Sequence, residues 1–360
     1  MYQNQNANLV DRFEDWWRRD NKGLPLMRVI ARRDGEEHPW PQPRNAEAKY
    51  TDIEYLHARN QAALKNNVYL ADAYASLSAN LGPGSLALYL GSEPRFTEET
   101  VWFEPCIDSM ETLPHIAFDP DNKWWKRHLD MIRTLRERAG DEYLIDMPDL
   151  VENIDILAAM RGPQNMLFDL MDEPENVERA IGEIDDVYFR YFDEMHKIIR
   201  SDDGISSYTA FSVLGRGRVA KVQCDFCAMI SPEQFRRFVV PSLTKQTRML
   251  DHSIYHLDGP DAVRHVPALM EIESLDALQW TCGAGQPDGA NPKWYGIYDQ
   301  VAAAKKGMWV QIADGDFDQW LRSADRFVER YGTRSVYFLF PGMSMAEADK
   351  LMNYAHSHWE

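Results

Sequence analysis

Five short apolar runs in the second half of the chain, near residues 220–226, 253–257, 275–280, 307–312 and 335–340, restrict the fold more than any other feature. Between them lie stretches of helical periodicity: SPEQFRRFVVPSLTKQTRMLD, DAVRHVPALMEI, YGIYDQVAAAKK and FDQWLRSADRFVERYG. The first opens on Ser231 with Pro232 next, a residue order suited to a helix start. Strands separated by single helices pair in parallel through right-handed crossovers, and a long series of them closes most economically as a (β/α)8 TIM barrel. The open doubly wound alternative would carry a G-x-G-x-x-G turn after its first strand, and none occurs in that context.

The first half is less regular. Helical spacing predicts helices near 123–139, 151–161 and 174–200, with a strand near EYLIDMP (142–148). Residues 50–75 also read as helical, and SANLGPGSLALYLG then breaks on Gly and Pro as a loop. Residues 1–60 mix a short amphipathic segment at Phe13 to Trp17, an apolar run and a Pro-rich stretch. They read as an N-terminal extension to a single barrel domain over 61–360.

The charge balance bears on partners. With 39 basic and 57 acidic residues, the net charge of −18 repels a phosphate backbone and an anionic membrane surface alike. Nucleic acid and membranes are therefore not expected as partners. Without an apolar run of ~18–20 residues or a signal-peptide layout at the N-terminus, a cytoplasmic protein is expected. Cys106, Cys224, Cys227 and Cys282 are too few for a disulfide framework. Cys224 and Cys227 read as buried thiols rather than a redox pair, Cys106 as inert, and His265 as a surface or half-buried residue.

Functional residues of such barrels lie where the strands end. Those ends carry Asp146, Asp225 in VQCDFC, His256 and Asp258 in IYHLDG, Gln279, Trp280 and Cys282 in LQWTCG, and Asp314 in QIADGD. Asp146 and Asp314 suit a cap or turn as well as a site. His256 and Asp258 end one strand and Cys282 ends the next, about 5 Å away per strand step. Together they are competent zinc ligands with a fourth position left for substrate. Without a metal, Asp225, His256 and Asp258 could act as acid and base.

The segments SANLGPGSLALYLG, RGPQNMLFDLMDEPENV, VQCDFCAMISPEQFRRFVVPSL, IYHLDGPDAVRHVPALMEIESLDALQW and VYFLFPGMSMAEADKLM resemble, in that order, the uroporphyrinogen decarboxylase superfamily. Met27, Arg28 and Arg32 keep the spacing of the decarboxylase's arginine motif. Asn80 stands where that family has its essential aspartate, Asp225 where it has a serine, and Pro341 near the place of a late histidine. The resemblance is therefore closer to the corrinoid-linked methyltransferases, whose zinc motif H-x-C is matched by His256 and altered at Asp258, with Gly259 following. What it implies is methyl transfer between a small O- or N-methylated compound and the cobalt of a corrinoid-binding partner protein, with Zn2+ as a possible cofactor and a homodimer as a possible assembly. Asn80, Asp146, Gln279, Trp280, Asp314 and Arg28 would bind the substrate. The altered ligand set keeps an alternative open, a barrel with a lyase, hydrolase or ligand-binding role and no methyl transfer.

Overall fold

The computed structural model describes residues 8–360, the side chain of Thr209 apart. The strands are β1 (Leu26–Arg32), β2 (Asn67–Ala71), β3 (Ser76–Ser78), β4 (Pro94–Phe96), β5 (Val101–Phe103), β6 (Leu144–Asp146) and β7 (Ile205–Tyr208). Then follow β8 (Val213–Arg216), β9 (Val219–Gln223), β10 (His252–Asp258), β11 (Ala277–Thr281), β12 (Gly307–Gln311), β13 (Val336–Leu339) and β14 (Met343–Ser344). The main sheet runs β14-β1-β13-β12-β11-β10-β9, parallel throughout, with β2 antiparallel on the other edge of β1.

The expected strand–helix alternation of the second half is present, but a closed (β/α)8 ladder is not. β3 and β6 form a separate parallel pair, and among the described residues no ladder joins them to β1 or β9. Two local causes account for the gaps. β2 pairs with β1 from Arg28 to Arg32 and so occupies the edge that β3 would use. The antiparallel hairpin β7–β8 stands between β6 and β9: Met147 N donates to Ser207 O at 2.9 Å, and Val219 N donates to Ser206 Oγ at 3.3 Å. The fold is thus a mixed α/β arrangement around a mostly parallel sheet. Leu26–Arg32, placed in the N-terminal extension by the sequence reading, forms β1, which lies within this sheet between β13 and β2.

Burial explains the helices. The Lys123–Ala139 helix starts on Asn122, whose side chain accepts from Trp124 N and Trp125 N, and it buries Trp125, Leu129, Ile132 and Leu135 on one face. The helix Leu9–Trp17 turns Phe13, Trp16 and Trp17 into the core. Trp16 Nε1 donates to Ser335 O at 3.0 Å and Trp17 Nε1 to Leu214 O at 2.8 Å, so the two indoles bury their apolar rings without stranding a donor. Trp16 lies so close to Gly307 that a Cβ there would sit 3.1 Å from the indole. This helix covers the N-terminal end of the sheet, against Gly307 and Ser335, which leaves the C-terminal strand ends as the accessible mouth. No helix among the described residues is long and apolar enough to cross a membrane.

Candidate functional site

Parallel register stacks the inward side chains in layers, because paired residues of adjacent parallel strands point to the same face. Gln223, His256, Gln279, Trp309 and Tyr337 form one layer across β9 to β13. One step further toward the mouth, Asp258 pairs with Thr281, while Gln311 and Arg28 both pair with Leu339. The polar residues of this second layer are the ones that meet solvent.

At the mouth, Asp225, His256 and Asp258 each offer a ligand atom, and these atoms all lie within 4.8 Å of one another. Asp225 opens the short 3-10 helix Asp225–Met229 immediately after β9, and Asp258 ends β10. His256 Nδ1 bonds Gln279 Oε1, and Gln279 Nε2 donates to Thr281 Oγ1 at 2.9 Å. An amide held that way presents its carbonyl oxygen to the imidazole, so Nδ1 carries the proton and Nε2 is left as the free lone pair. Burial, then the charge of Lys221, lowers the His256 pKa, which keeps the ring neutral and fit to ligate or accept a proton. The Phe211 ring lies 5.4 Å from the imidazole and covers one side of it.

A second set of carboxylates supports this cluster. The segment after β6 carries Asp149, Glu152 and Asp155, and Val151 and Asn153 within it adopt φ of 55° and 51°. A β-branched residue in that region is strained, and the segment is clamped against β9 at several points. Asn153 Nδ2 donates to Gln223 O at 2.8 Å, and Gln223 N donates to Glu152 Oε1 at 2.8 Å. Asp155 accepts from Asp225 N at 2.7 Å and from Phe226 N at 2.8 Å, which seats the start of the 3-10 helix. Gln223 Nε2 bridges Asp155 and Asp225 at 3.1 and 3.0 Å. Buried Lys221 pairs with Asp149 at 2.6 Å and bonds Gln223 Oε1.

The crowding of acids sets the local protonation. Loss of solvent, then the neighbouring Asp155, pushes Asp225 up to about 7, with Asp258 and Asp149 acting in the same direction and Lys221 opposing. Burial raises Glu152 well above the carboxylate range, although Lys221 pulls against it. The Glu152 Oε2 atom has no hydrogen-bond partner among the described residues.

Two cavities flank the cluster. One, of about 480 Å3, reaches Gln223, Asp225 and Asp155 between apolar walls that include Val101, Phe103 and Phe226. The other, of about 490 Å3, is lined by Arg28, Phe211, Gln279, Thr281, Trp309 and Gln311. Arg28 is half-buried there, and its side chain makes no hydrogen bond or ion pair among the described residues.

Several residues expected at the site lie elsewhere. Cys282 does not join His256 and Asp258, because Gln279 and Thr281 share the inward parity and Trp280 and Cys282 take the other face. Burial pushes the Cys282 thiol up to about 12, with Asp288 and Asp314 next to it adding to the rise. Trp280, expected as a wall of the substrate pocket, is buried against Trp294 with ring centroids 5.0 Å apart. Asp314 serves a loop clamp: its Oδ2 accepts from Asp288 N at 2.9 Å, and Asp288 Oδ2 accepts from Asp314 N at 2.9 Å. Asp146 is fully buried at the end of β6, accepts from Ser207 Oγ, and is raised to about 7 by burial. Asn80 follows β3, lines neither cavity, and has a buried Oδ1 without a hydrogen-bond partner among the described residues. His265 is buried rather than at the surface, stacked on Phe235 with Nε2 bonding Cys227 O at 2.9 Å.

The sequence reading missed Gln223, Lys221, Asp149, Glu152, Asp155 and Thr281. A signal existed, since D-L-V-E-N-I-D places three acids at every third position straight after a strand, and Lys221 and Gln223 alternate along β9 with Asp225 two residues beyond.

No protein-family model matches the chain, and no curated protein is significantly similar to it. Its fold is shared with solved structures. A methyltransferase from Methanosarcina mazei superposes with a TM-score of 0.62 at 13% identity, over 98% of this chain and 99% of that one. A B12-independent methionine synthase from Shewanella sp. W3-18-1 matches with a TM-score of 0.48 at 8% identity, over 93% and 96% of the two chains.

Proposed function

We propose that the chain is a methyl-transfer enzyme with its reaction centre at Asp225, His256 and Asp258. It would move a methyl group between a small O- or N-methylated compound and the cobalt of a corrinoid carried by a partner protein. The observation that carries this reading is the convergence of those three side chains at the strand-end mouth, on a fold shared with a methyltransferase. One neutral imidazole nitrogen and two carboxylate oxygens within a 4.8 Å span suit a divalent cation, and zinc fits that donor set. Zinc, when bound, supplies Lewis acidity to the heteroatom that carries or receives the methyl group.

The protein's own groups do the rest. Gln279 fixes the imidazole orientation, as outer-sphere partners of metal-ligating histidines do, and Gln223 fixes Asp225. Arg28 offers an uncompensated charge to an anionic end of the substrate, with Gln279, Thr281 and Gln311 beside it as hydrogen-bonding partners.

A second reading dispenses with metal and is favoured by Asp225 being held at about 7. A carboxyl half-protonated at neutral pH can give its proton to a leaving heteroatom as a general acid. The experiment that tests both supplies reduced cobalamin and a panel of O- and N-methyl donors, with and without chelator, and follows methylcobalamin formation. Methyl transfer lost in chelator supports the metal reading, and transfer that persists supports the acid. Absence of transfer from every donor under both conditions would overturn methyl transfer in favour of the lyase, hydrolase or ligand-binding alternative.

A further inference from the structure

We propose that the apolar cavity beside Asp225 binds a methylated quaternary ammonium group of a ligand. The inference rests on the reading of this mouth as a substrate site, but its test does not require methyl transfer.

The cavity combines two properties that few ligands satisfy together. Its walls are hydrocarbon and aromatic, with Val101, Phe103, Ile156, Phe226 and Met229 around an opening of pocket size. Its lining also presents the carboxylates of Asp155 and Asp225, and among the described residues neither Lys nor Arg lines it. The nearby Lys221 is already paired with Asp149. Three donors, the backbone N–H groups of Asp225 and Phe226 and the Gln223 amide, hold Asp155 rigidly in place.

Anions, neutral apolar ligands and hydrogen-bonding or hydrated cations each fail on one of these properties. An anion would face two carboxylates with no cation to offset them. A neutral apolar ligand would strip water from both carboxylates and return nothing for it. A primary ammonium or a hydrated metal ion needs oxygen partners on several sides, and hydrocarbon walls supply none. A methylated onium presents methyl groups to the walls, spreads its charge over them, and needs no acceptor for a hydrogen bond. Aromatic surface adds to its binding.

The test compares choline with 3,3-dimethyl-1-butanol, its uncharged carbon counterpart of the same shape, by calorimetric titration into the metal-free full chain. Choline should bind about tenfold more tightly than the alcohol. Asp225→Asn and Asp155→Asn should each cut that preference to less than about threefold, with the fold checked by circular dichroism. Asp155→Asn also weakens the seat of the 3-10 helix, so Asp225→Asn is the decisive variant if Asp155→Asn unfolds. Equal affinities, tighter binding of the alcohol, or binding of neither compound overturns the proposal. Selective choline binding without methyl transfer from any donor would leave the cavity assignment standing and remove the enzyme reading. Transfer from methyl ethers alone, with no choline bound, would do the reverse.

Discussion

The main sheet and the separate β3–β6 pair treat the same chemical group in opposite ways. On the side of β9 to β11, carboxylates at strand ends face an open mouth, where Asp225 and Asp258 meet His256 and a bridging glutamine. On the side of β3 and β6, the strand-end carboxylate Asp146 is sealed by the β7–β8 hairpin and bonds Ser207. Both Asp146 and Asp225 are raised to about 7, and burial leads in both cases. The difference lies in the neighbours. Asp225 has other carboxylates beside it and a cavity in front, whereas Asp146 has hydroxyl donors and no access. A raised pKa is therefore shared by a candidate reaction centre and an ordinary core group, and only geometry tells them apart.

That contrast can be broken by substitution. His256→Gln should slow methylcobalamin formation by roughly 10²–10⁴-fold, while Asp146→Asn should leave the rate nearly unchanged. Comparable losses in both would mean that the sealed side takes part in the chemistry.

Asp146 should instead report in stability. Its carboxyl titrates near 3.8 when unfolded and about 7 when folded, so the folded state binds the proton more tightly. Stability from this group is present below about pH 4 and is lost as pH rises toward 7, by roughly 4 kcal/mol at most. Urea denaturation at pH 4.5 and 7.5 should show a narrower gap for Asp146→Asn than for the parent chain. An unchanged gap would show that Asp146 is ionised in the core. A smaller effect belongs to Gln279→Ala, which removes the partner that orients His256. It should weaken zinc binding about 10- to 100-fold without abolishing it, as measured by competition with a chromophoric chelator.

Much of the regular side was legible before the structure. Each apolar run of the second half became one strand of β9 to β13, and the Lys123–Ala139 helix begins and ends where its periodicity does. The strand-end rule led to His256, Asp258 and Asp225, which the fold brings together. Parity, applied strictly, would also have excluded Trp280 and Cys282, since they alternate with Gln279 and Thr281 along one strand. The irregular side was not legible. Whether LPLMRVIAR joins the sheet depends on β13, some 300 residues away in the chain, and no local pattern encodes such a pairing. The carboxylates at 149, 152 and 155 reach the site because left-handed backbone at Val151 and Asn153 folds their segment onto β9. That contact is tertiary, and a reading based on strand ends passes over it.

The central claim is that Asp225, His256 and Asp258, without Cys282, constitute the metal-binding reaction centre. Zinc stoichiometry of the purified chain and of three variants tests it most directly. The account predicts about one zinc per chain for the parent and for Cys282→Ser, and loss of zinc in His256→Gln and Asp258→Asn. Zinc retained by both His256→Gln and Asp258→Asn, or lost on Cys282→Ser, would contradict it.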